Sequence, residues 1–531
     1  MDGHGPRDDQ AVGDAQPTLP RDATYVRVAL VNAPPFALHE PQYDTPIFTR
    51  YSLAVLASWL RENGVGEVLL IDAKYERVGY REILRRLREF SPDVVGLTAF
   101  TNEIIQCGHV ATLVKNLARE QGKRIVTIVG GVHASALPEQ TLHEFPQFDL
   151  VGVGEGEQTL LELARHVARG AAPAELSRID GLAWRDPEDP ARVLRSNPRK
   201  NIADQRSLPM PAWDMLPPSP QYTVMTSRGC PFACNFCQNP NGRVVRKRAE
   251  DQFLEEVAWL IAERGCVDLH ICDEIFTIDR ARTHYLLDGM IELGFGDHYT
   301  FHAQTHINTV DAALLRKIDR AGCRLLGFGM ETGDEETLKQ MGKGTSLKKI
   351  REIMALSRET QLKLGTYFIL GQPDESWRSA WNTIKLAVEA NPETPVFGVM
   401  VPYPGTKVWD WAQKHERGYQ LRSLNWNDYN KQIGDALAFD GISRRGVEFL
   451  QLAGYSLVFL ANQRYREFSE FVWRYRTEGK VVLNKIVTGH LGRTGAAPRY
   501  DLEFDAVLEL DDALESLHAR QGGLMLPSGY S

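Results

Sequence analysis

The sequence lacks the features of a membrane, exported or nucleic-acid-binding protein. None of its apolar runs reaches the roughly 20 residues that a membrane span needs. Residues 1–24 contain no basic segment followed by an apolar one, so we expect no export signal and a cytoplasmic location. Lys and Arg number 61 against 69 Asp and Glu. The resulting net charge of −8 argues against a nucleic-acid partner, because such partners favour a basic face.

Cysteine is scarce, and its distribution is uneven. The chain has seven cysteines in 531 residues, and without an export signal a disulfide framework is not expected. Cys230, Cys234 and Cys237 fall within eight residues, which indicates a metal site. No cysteine follows Cys323, which excludes a second cysteine-bound cluster in the C-terminal part of the chain.

Residues 25–170 alternate short apolar runs with amphipathic helical patterns. The runs are rich in Val, Ile and Leu, and they cover residues 26–33, 67–73, 93–100, 124–131 and 149–154. Apolar strands that alternate with helices predict a parallel sheet covered on both faces. We therefore expect a Rossmann-like or flavodoxin-like α/β domain at residues 25–170, preceded by a disordered polar tail at residues 1–24.

A second alternating region begins at residue 221. Residues 171–220 are rich in proline and mixed charge, and we interpret them as a linker that carries a small hairpin. Six strand and helix pairs follow in residues 221–420, too few for a complete eight-unit barrel, so they predict a partial (β/α)6 barrel. After about residue 420 the strand signals fade. We expect a mainly helical region at residues 421–531 that caps the substrate cavity, although aromatic residues in helices more often form a core.

The clustered cysteines lie in residues 228–237, with the sequence RGCPFACNFC, directly after the first barrel strand. That position predicts a loop at the carboxyl-terminal face of the barrel, where active sites lie. Three thiolates on one tight loop can each bind a separate iron of a cubane cluster and leave the fourth iron open. A structural zinc ion is the alternative, but it usually takes four protein ligands, and no fourth cysteine is near.

The spacing of these cysteines resembles that of the radical S-adenosylmethionine (SAM) superfamily. The resemblance implies that Cys230, Cys234 and Cys237 hold a 4Fe–4S cluster whose open iron binds the amino and carboxylate groups of SAM. An electron from the cluster then cleaves SAM to a 5′-deoxyadenosyl radical, which takes a hydrogen atom from the substrate. The resemblance also implies an electron donor such as flavodoxin or ferredoxin.

Further motifs of the superfamily follow successive barrel strands. They imply SAM contacts at Phe236, Asp273, Glu274, Gln304, His306, Glu331, Gly371, Tyr403 and Pro404. Each motif alone is weak, because a glycine at a strand end is usually a turn and an acidic residue there is usually a helix cap. Their order after successive strands strengthens the set. His306 stands where relatives often carry arginine, which leaves the contact to the SAM carboxylate at that point open.

An α/β domain ahead of such a barrel resembles the cobalamin-binding class of radical SAM enzymes. The residues that match follow strands one, three, four and five, where open α/β sheets bind ligands. They imply cobalamin contacts at Asn32, Pro34, Pro35, Thr98, Thr101, Gly130, Gly131, His133, Gly154 and Glu155. The Asp-x-His-x-x-Gly motif that supplies a lower cobalt ligand in other cobalamin domains is absent. A domain that has lost its cofactor is the alternative.

Together these resemblances imply a cobalamin-dependent radical SAM enzyme with a small-molecule substrate. The leading hypothesis is methylation of an unactivated carbon, such as that of a natural-product precursor, through the 5′-deoxyadenosyl radical and methylcobalamin. One alternative keeps both cofactors but catalyses an oxidative cyclisation or rearrangement. Another is a radical SAM enzyme with a vestigial cobalamin domain. A non-catalytic scaffold is a further alternative, which the retained SAM motifs oppose.

Overall fold

The computed structural model describes residues 25–35, 49–488 and 502–511. The segment 1–24, predicted to be a disordered tail, lies outside the described residues. Two larger sheets, one of seven strands and one of six, organise the described part of the chain. None of its helices has the length and apolar character needed to cross a membrane.

The seven-stranded sheet belongs to an N-terminal α/β domain. Its elements, in chain order, are β1 (Arg27–Asn32), α1 (Tyr51–Glu62), β2 (Glu67–Asp72), α2 (Ala73–Glu76), α3 (Tyr80–Phe90), β3 (Val94–Thr98), α4 (Ile104–Glu120), β4 (Val126–Gly130), α5 (Val132–Ala136), α6 (Pro138–Glu144), β5 (Leu150–Gly152), α7 (Gly156–Ala168), β6 (Leu182–Arg185) and β7 (Val193–Arg195). The strand order is β2-β1-β3-β4-β5-β6-β7, and the first five strands are parallel. The order 2-1-3-4-5 is that of flavodoxin-like sheets, which confirms the predicted fold class.

Both faces of this sheet are buried. In β1, Val28 and Leu30 face a core shared with α1 and α7, whereas Ala29 and Val31 face a second core shared with α3 and α4. Burial on both faces explains why the strands are continuously apolar in sequence. β1 lies between β2 and β3 in the sheet, so the connections that follow β1 and β3 run to opposite sides. A crevice therefore opens at the carboxyl ends of β1 and β3.

The segment 171–220 is more than a linker. β6 pairs antiparallel with β5, and β7 pairs antiparallel with β6, so the predicted hairpin extends the first sheet by two strands. Trp184 of β6 lies in the same core as α1 and α7. The linker prediction is therefore corrected: the first domain extends to Arg195, because the hairpin completes its sheet.

The six-stranded sheet forms the wall of a partial barrel. Its elements, with two short strands of a loop, are β8 (Gln221–Val224), β9 (Ser227–Arg228), β10 (Arg246–Lys247), α8 (Glu250–Arg264), β11 (Asp268–Ile271), α9 (Arg280–Glu292), β12 (Thr300–Thr305), α10 (Ala312–Arg320), β13 (Cys323–Glu331), α11 (Glu335–Gln340), α12 (Leu347–Ser357), β14 (Lys363–Leu370), α13 (Trp377–Ala390) and β15 (Thr394–Val399). The wall runs β8-β11-β12-β13-β14-β15, and every pair in it is parallel. This arrangement confirms the predicted open (β/α)6 barrel.

The two faces of the barrel wall have different partners. Phe301 and Ala303 of β12 are buried in the core formed with the surrounding helices. Side chains alternate along a strand, so His302 and Gln304 point to the inner face. His302 is partly exposed there and Gln304 is exposed. The inner face is thus open and partly polar.

The region after the barrel mixes helices with a hairpin. Its elements are α14 (Lys407–Lys414), β16 (Tyr419–Leu421), β17 (Leu437–Phe439), α15 (Arg444–Ala461), α16 (Tyr465–Arg474) and α17 (Arg476–Thr488). β16 and β17 pair antiparallel, which the fading strand signals did not indicate. A further helix at residues 504–511 packs on the first domain, where Val507 is buried.

Candidate active site

A short loop carries the clustered cysteines at the carboxyl end of β8. It runs out through β9 and returns through β10, which pairs with β9 in antiparallel fashion. Gly229 has φ +103°, and a Cβ atom there would collide with the carbonyl oxygen of Val244, so this turn requires glycine. The backbone N–H of Cys230 donates to the carbonyl oxygen of Gly242 (3.0 Å). The first thiol therefore sits on a fixed backbone.

The three thiols are accessible to different degrees. Cys237 is exposed, and Cys230 and Cys234 are partly buried. Burial raises the pKa of all three thiols, that of Cys234 to about 11, so cluster binding must displace their protons. Across the described residues, no three His, Cys, Asp or Glu side chains are arranged to hold a single metal ion. A cubane cluster does not need three ligands around a single metal ion, because each thiolate binds a separate iron atom.

Asp273 follows β11 and fixes the chain between β8 and β9. Its buried carboxylate accepts hydrogen bonds from the backbone N–H of Thr226 (2.6 Å), the Thr226 hydroxyl (2.6 Å) and the Ser227 hydroxyl (2.7 Å). Both carboxylate oxygens are thus used within the protein, and the SAM contact at Asp273 stays a prediction.

Glu274 braces the next part of the same loop. Its carboxylate accepts from the backbone N–H of Gly229 (3.2 Å) and from Nδ2 of Asn241 (2.6 Å). Its negative charge raises the pKa of the Cys230 and Cys237 thiols in addition to the effect of burial, which places Glu274 near them. The SAM contact at Glu274 stays a prediction.

Glu331 ends β13 in a left-handed conformation. Its φ is +64°, and the register with β14 shifts between Gly329 and Glu331. One carboxylate oxygen accepts from Nζ of Lys343 (2.5 Å), and both side chains are buried. The structure thus places the predicted Glu331 beside a cation that sequence reasoning missed. The sequence did contain a sign of this cation, because Lys343 lies between Gly342 and Gly344 after a predicted SAM motif.

His306 follows β12 and packs against the cysteine loop. Its ring stacks on Phe232 with 3.9 Å between ring centroids. Nδ1 accepts from the backbone N–H of Asn308 (3.2 Å), whereas the buried Nε2 has no partner among the described residues. Burial lowers the pKa of His306 to about 4, so the ring is neutral at physiological pH. An unpartnered nitrogen beside the cysteines fits a polar ligand such as SAM.

Phe236 and Gln304, two other predicted SAM contacts, both keep solvent-accessible surface. Phe236 is partly buried and packs beside Met400 and Val408. Gln304 is exposed on the inner face of the barrel. Both contacts stay predictions.

Gly371 ends β14 and is covered by the C-terminal hairpin. Its φ is +82°, and a Cβ atom there would lie 2.6 Å from the ring of Phe439 in β17. This glycine lets the hairpin pack on the strand end, and the SAM contact at Gly371 stays a prediction.

The turn after β15 joins the cysteine loop to the first domain. The carbonyl oxygen of Pro404 accepts from Nε2 of Gln238 (3.0 Å). Tyr403 packs against the second core of the first domain, and a Cβ atom on Gly405 would lie 3.4 Å from Cβ of Ala136. Tyr403 and Pro404 therefore lie between the two domains, where their predicted SAM contacts stay predictions.

The carboxyl ends of β3 and β4 approach each other closely in the first domain. Gly131 has φ +93°, and a Cβ atom there would lie 2.5 Å from the carbonyl oxygen of Ala99 and 3.1 Å from Oγ1 of Thr98. Thr101 and His133 lie at the same sheet edge, and both are buried. The Thr101 hydroxyl and both ring nitrogens of His133 have no hydrogen-bond partner in the described residues. Such orphaned polar atoms fit a polar ligand at this edge.

The remaining glycines and prolines of the predicted cobalamin site are also at this edge. Pro34 and Pro35 are buried after β1. A Cβ atom on Gly154 would meet nothing within 4 Å, and one on Gly130 would make only ordinary contacts. The cobalamin contacts at these four residues stay predictions.

Asn32, at the end of β1, is held within a buried polar network. Its Nδ2 donates to Asp72 (2.7 Å), and its Oδ1 accepts from Arg50 (3.2 Å). Arg50 in turn pairs with Glu103 (2.7 Å). Both polar ends of the Asn32 side chain are used in this network, and its cobalamin contact stays a prediction.

Glu155 joins the first domain to the cysteine loop. Its carboxylate accepts from Arg246 (2.6 Å), from Arg228 (3.3 Å) and from the backbone N–H of Ile202 (2.6 Å). Arg228 also pairs with Glu157 (2.7 Å), and all four charged side chains are buried. Arg228 and Arg246 face each other across β9 and β10. We call these four residues the interdomain clamp. This carboxylate holds the two ends of the cysteine loop, and the cobalamin contact at Glu155 stays a prediction.

The segment around Trp426 covers the same edge of the first sheet. Trp426 is fully buried, and its Nε1 donates to Glu144 (2.6 Å). Its ring packs edge-on against His133, with 4.6 Å between the ring centroids. Trp426 and Tyr429 belong to the second core of the first domain, as the core interpretation of these aromatic residues predicts.

Family models match both halves of this arrangement. The model of the radical SAM superfamily matches residues 224–387, and the model of the B12 binding domain matches residues 46–164. An uncharacterized methyltransferase of Pyrococcus horikoshii is 30% identical over 386 residues, which cover 71% of this chain and 80% of that protein. The chain belongs to the cobalamin-binding class of radical SAM enzymes. An anaerobic magnesium-protoporphyrin IX monomethyl ester cyclase of Rubrivivax gelatinosus is 25% identical, over 71% of this chain and 68% of that protein.

Solved structures of two radical SAM enzymes share the fold of this one. TsrM from Kitasatospora setae, with cobalamin and a 4Fe–4S cluster bound, is 18% identical with a TM-score of 0.63. The match covers 87% of this chain and 99% of TsrM. OxsB, with aqua-cobalamin and SAM bound, is 16% identical with a TM-score of 0.66, over 94% of this chain and 81% of OxsB.

The cofactors of this radical SAM enzyme are therefore a 4Fe–4S cluster, SAM and cobalamin. The residues at each site fit them. The cysteine loop presents three thiols, the unpartnered Nε2 of His306 lies beside it, and Thr101 and His133 leave buried polar atoms at the edge of the first sheet. Sequence reasoning found all of these residues but missed Lys343 and the part played by Arg228 and Arg246.

Proposed function

We propose that this protein is a methyltransferase that places a methyl group on an unactivated carbon of a small-molecule substrate. One observation carries the proposal: the interdomain clamp ties the cysteine loop to the carboxyl edge of the cobalamin-binding sheet. A substrate held between these two sites would meet both cofactors. The similarity to the Pyrococcus horikoshii methyltransferase favours methyl transfer as the outcome.

The protein's own residues bind and orient these groups. When bound, the cluster and SAM supply a radical that removes a hydrogen atom, and cobalamin supplies the methyl group. Cys230, Cys234 and Cys237 would hold the cluster, and His306 and Glu331 lie beside it to hold SAM. An external donor such as flavodoxin or ferredoxin would supply the electrons.

The inner face of the barrel favours a substrate with hydrogen-bonding groups. His302 and Asp268 form a pair there, with 3.2 Å between Nε2 and the carboxylate. The hydroxyl of Thr300 donates to the same carboxylate (2.6 Å), and Gln304 is exposed one layer nearer the cysteine loop. A purely hydrocarbon substrate would desolvate the exposed amide of Gln304 without offering it a hydrogen bond, which costs binding energy. A polar natural-product precursor fits this lining.

Methyl transfer can be tested before the substrate is known. The reconstituted enzyme would be incubated anaerobically with reductant, cobalamin and methyl-labelled SAM, and the adenosyl products would be counted. Methyl transfer from SAM to cobalamin does not need the final acceptor, so we expect S-adenosylhomocysteine at about one equivalent per bound cobalamin. A parallel sample without cobalamin should form none.

The second candidate function is cyclisation or rearrangement with both cofactors. The similarity to the magnesium-protoporphyrin monomethyl ester cyclase of Rubrivivax gelatinosus favours it. This function predicts 5′-deoxyadenosine without S-adenosylhomocysteine in the cobalamin-loaded enzyme. That result would replace the methyltransferase proposal, whereas S-adenosylhomocysteine together with the labelled methyl group on cobalamin would remove the cyclase.

A further inference from the structure

Helices α16 and α17 pack on the outside of α15, and this packing accounts for one face of each. In α16, the Phe471 ring lies 4.9 Å from that of Tyr455 and 5.5 Å from that of Phe459, measured between ring centroids. The Phe468 ring also contacts Phe459, at 6.4 Å. α17 begins after one intervening residue and also packs against α15, where its Val482 is buried.

The face of α16 that turns away from α15 is apolar and exposed. Tyr465 and Val472 are seven residues apart, and Trp473 follows Val472, so the three side chains lie on one side of the helix. Trp473 is 64% exposed and Tyr465 is 60% exposed. In α17, Leu483 and Val487 are four residues apart, and both are more than half exposed. We call these five residues the apolar stripe. Clustered apolar residues on a surface mark an interaction site, whereas scattered ones need no explanation.

The surroundings of the apolar stripe are basic. Residues 464–488 contain six Lys and Arg against three Glu, whereas the whole chain has a net charge of −8. The guanidinium of Arg476 lies over the Trp473 ring, 4.5 Å from its centroid, and donates to the Trp473 carbonyl oxygen (2.7 Å). Arg476 and Lys480 are both exposed. A local excess of cations on an acidic protein favours an anionic partner.

The shape and residue types of the stripe favour a lipid surface over other anionic partners. None of the ten residues of α16 is fully buried, so its outer side chains form a ridge on the protein and not a groove that encloses a ligand. Trp and Tyr prefer the boundary between lipid headgroups and acyl chains, and Lys and Arg beside them attract anionic lipids. Attachment of this kind lays a helix on the membrane surface and needs no membrane-spanning segment.

We propose that α16 and α17 attach this protein to an anionic lipid surface. The apolar stripe would enter the layer between headgroups and acyl chains, and Arg476 and Lys480 would contact the lipid phosphates. Trp473 would be the main anchor, because its large ring is mostly exposed and carries the cation of Arg476 on its face. This inference goes beyond the proposed function and does not depend on the reaction that the enzyme catalyses.

Vesicle sedimentation tests the proposal with the full-length, iron-reconstituted enzyme. The probes are vesicles of phosphatidylcholine alone and vesicles that also contain about one third phosphatidylglycerol, each at low and at physiological salt. We expect the wild type to bind the anionic vesicles about 10-fold more tightly than the neutral ones. Salt should weaken this preference, because it screens the cations.

The variants separate the apolar contribution from the electrostatic one. Trp473→Ala should bind anionic vesicles about 10-fold more weakly, because it loses the apolar area that enters the lipid. The double variant Arg476→Gln and Lys480→Gln should lose about five-fold for each cation on anionic vesicles and should bind neutral vesicles as the wild type does. Trp377, at the start of α13, is 47% exposed and lies outside these helices, so Trp377→Ala is the matched control and should bind like the wild type.

A wild type that does not bind anionic vesicles would overturn the proposal, and so would a Trp473→Ala enzyme that binds them equally well. Trp473 is mostly exposed, so its replacement should leave the iron content and the fold unchanged, and the double variant tests the same surface independently. Sedimentation equilibrium without vesicles examines the other occupant, a second copy of the chain. A wild-type dimer that becomes a monomer in Trp473→Ala would overturn the lipid assignment and make the stripe an interface between copies.

Discussion

Three thiols on a single loop make the cysteines individually indispensable. Cys234 lies between the other two, and the backbone of Asn235 next to it is tied to residues 340–341. Replacing Cys234 with alanine removes one of three protein ligands without disturbing these backbone contacts. We expect Cys234→Ala to fold, to hold far fewer than four irons per chain and to form no 5′-deoxyadenosine.

Iron analysis and product assays under anaerobic conditions check this prediction. Cys323→Ala is the matched control, since Cys323 is a buried cysteine of β13 outside the loop. The control should keep its iron. Unchanged SAM cleavage in Cys234→Ala would contradict the assignment of the cluster.

A histidine far from the cluster links stability to pH. His109 of α4 is buried, its Nδ1 lies 3.3 Å from the Tyr80 hydroxyl, and burial lowers its pKa from 6.5 to about 4. A lowered folded-state pKa means that its stabilising contribution is full above pH 6.5 and is lost as the pH falls towards 4. Between pH 7 and pH 5, the free energy of unfolding should therefore fall by about 2 kcal/mol less in His109→Gln than in the wild type.

Thermal unfolding of the metal-free chain at the two pH values measures this difference. The exposed His298 offers a control, and His298→Gln should follow the wild type. Equal pH dependence in His109→Gln and the wild type would show that His109 does not titrate on unfolding as described.

Sequence reasoning located the strand ends correctly but could not assign every side chain there. The cysteines were predictable because their spacing alone determines their chemistry. The contacts of Asp273 and Glu155 within the protein were not predictable, because a carboxylate at a strand end can serve a ligand, a nearby turn or another domain, and spacing does not distinguish these. Lys343 was missed because its ion pair with Glu331 depends on the bulge in β13, which the sequence pattern does not reveal.

At the scale of elements, the longer strands were predictable and the short ones were not. The parallel strands of the first sheet are rich in buried Val, Ile and Leu residues, so their pattern was clear. β6 and β7 were recognised as a hairpin, but their place in the first sheet depends on a pairing with β5 that composition does not encode. β16 and β17 have three residues each, too few to show a period.

Helix α3 depends on a residue more than 400 positions away. Its N-cap, Gly79, has no side chain, and the carboxylate of Asp511 accepts instead from the backbone N–H groups of Tyr80 (2.6 Å) and Arg81 (2.7 Å). Asp511→Ala should therefore expose the first turn of α3 and cost about 1 kcal/mol to 2 kcal/mol of stability.

Hydrogen exchange of the α3 amides measures the effect directly. Asp505 is exposed in the same C-terminal helix, so Asp505→Ala is the matched control and should leave exchange in α3 unchanged. Normal protection of Tyr80 and Arg81 in Asp511→Ala would contradict the capping contact.

At the scale of the whole molecule, the interdomain clamp is a buried ionic contact that couples the two cofactor domains. Glu155→Gln keeps the shape of the side chain but removes its charge. Arg228 then pairs with Glu157 alone, and Arg246 loses its carboxylate partner in a buried site. Removing one member of a buried ion group costs about 3–5 kcal/mol. We expect a clearly lower melting temperature and lower retention of both iron and cobalamin.

Calorimetry together with iron and cobalt analysis after desalting checks this expectation. Glu139 pairs with Arg195 on the surface of the first domain, so Glu139→Gln should change none of these quantities. A Glu155→Gln enzyme that loses only cobalamin and keeps its iron and its melting temperature would contradict this expectation and support Glu155 as a direct cobalamin contact.

The clamp also determines how this protein can be divided. Arg228 and Arg246 belong to the barrel, but the carboxylates that neutralise them belong to the first domain. A chain that begins after residue 200 would expose two arginines that have no counter-charge, at the base of the loop that must bind iron. The catalytic half therefore cannot be studied or transplanted by itself, and the two domains are expected to be inherited as one unit.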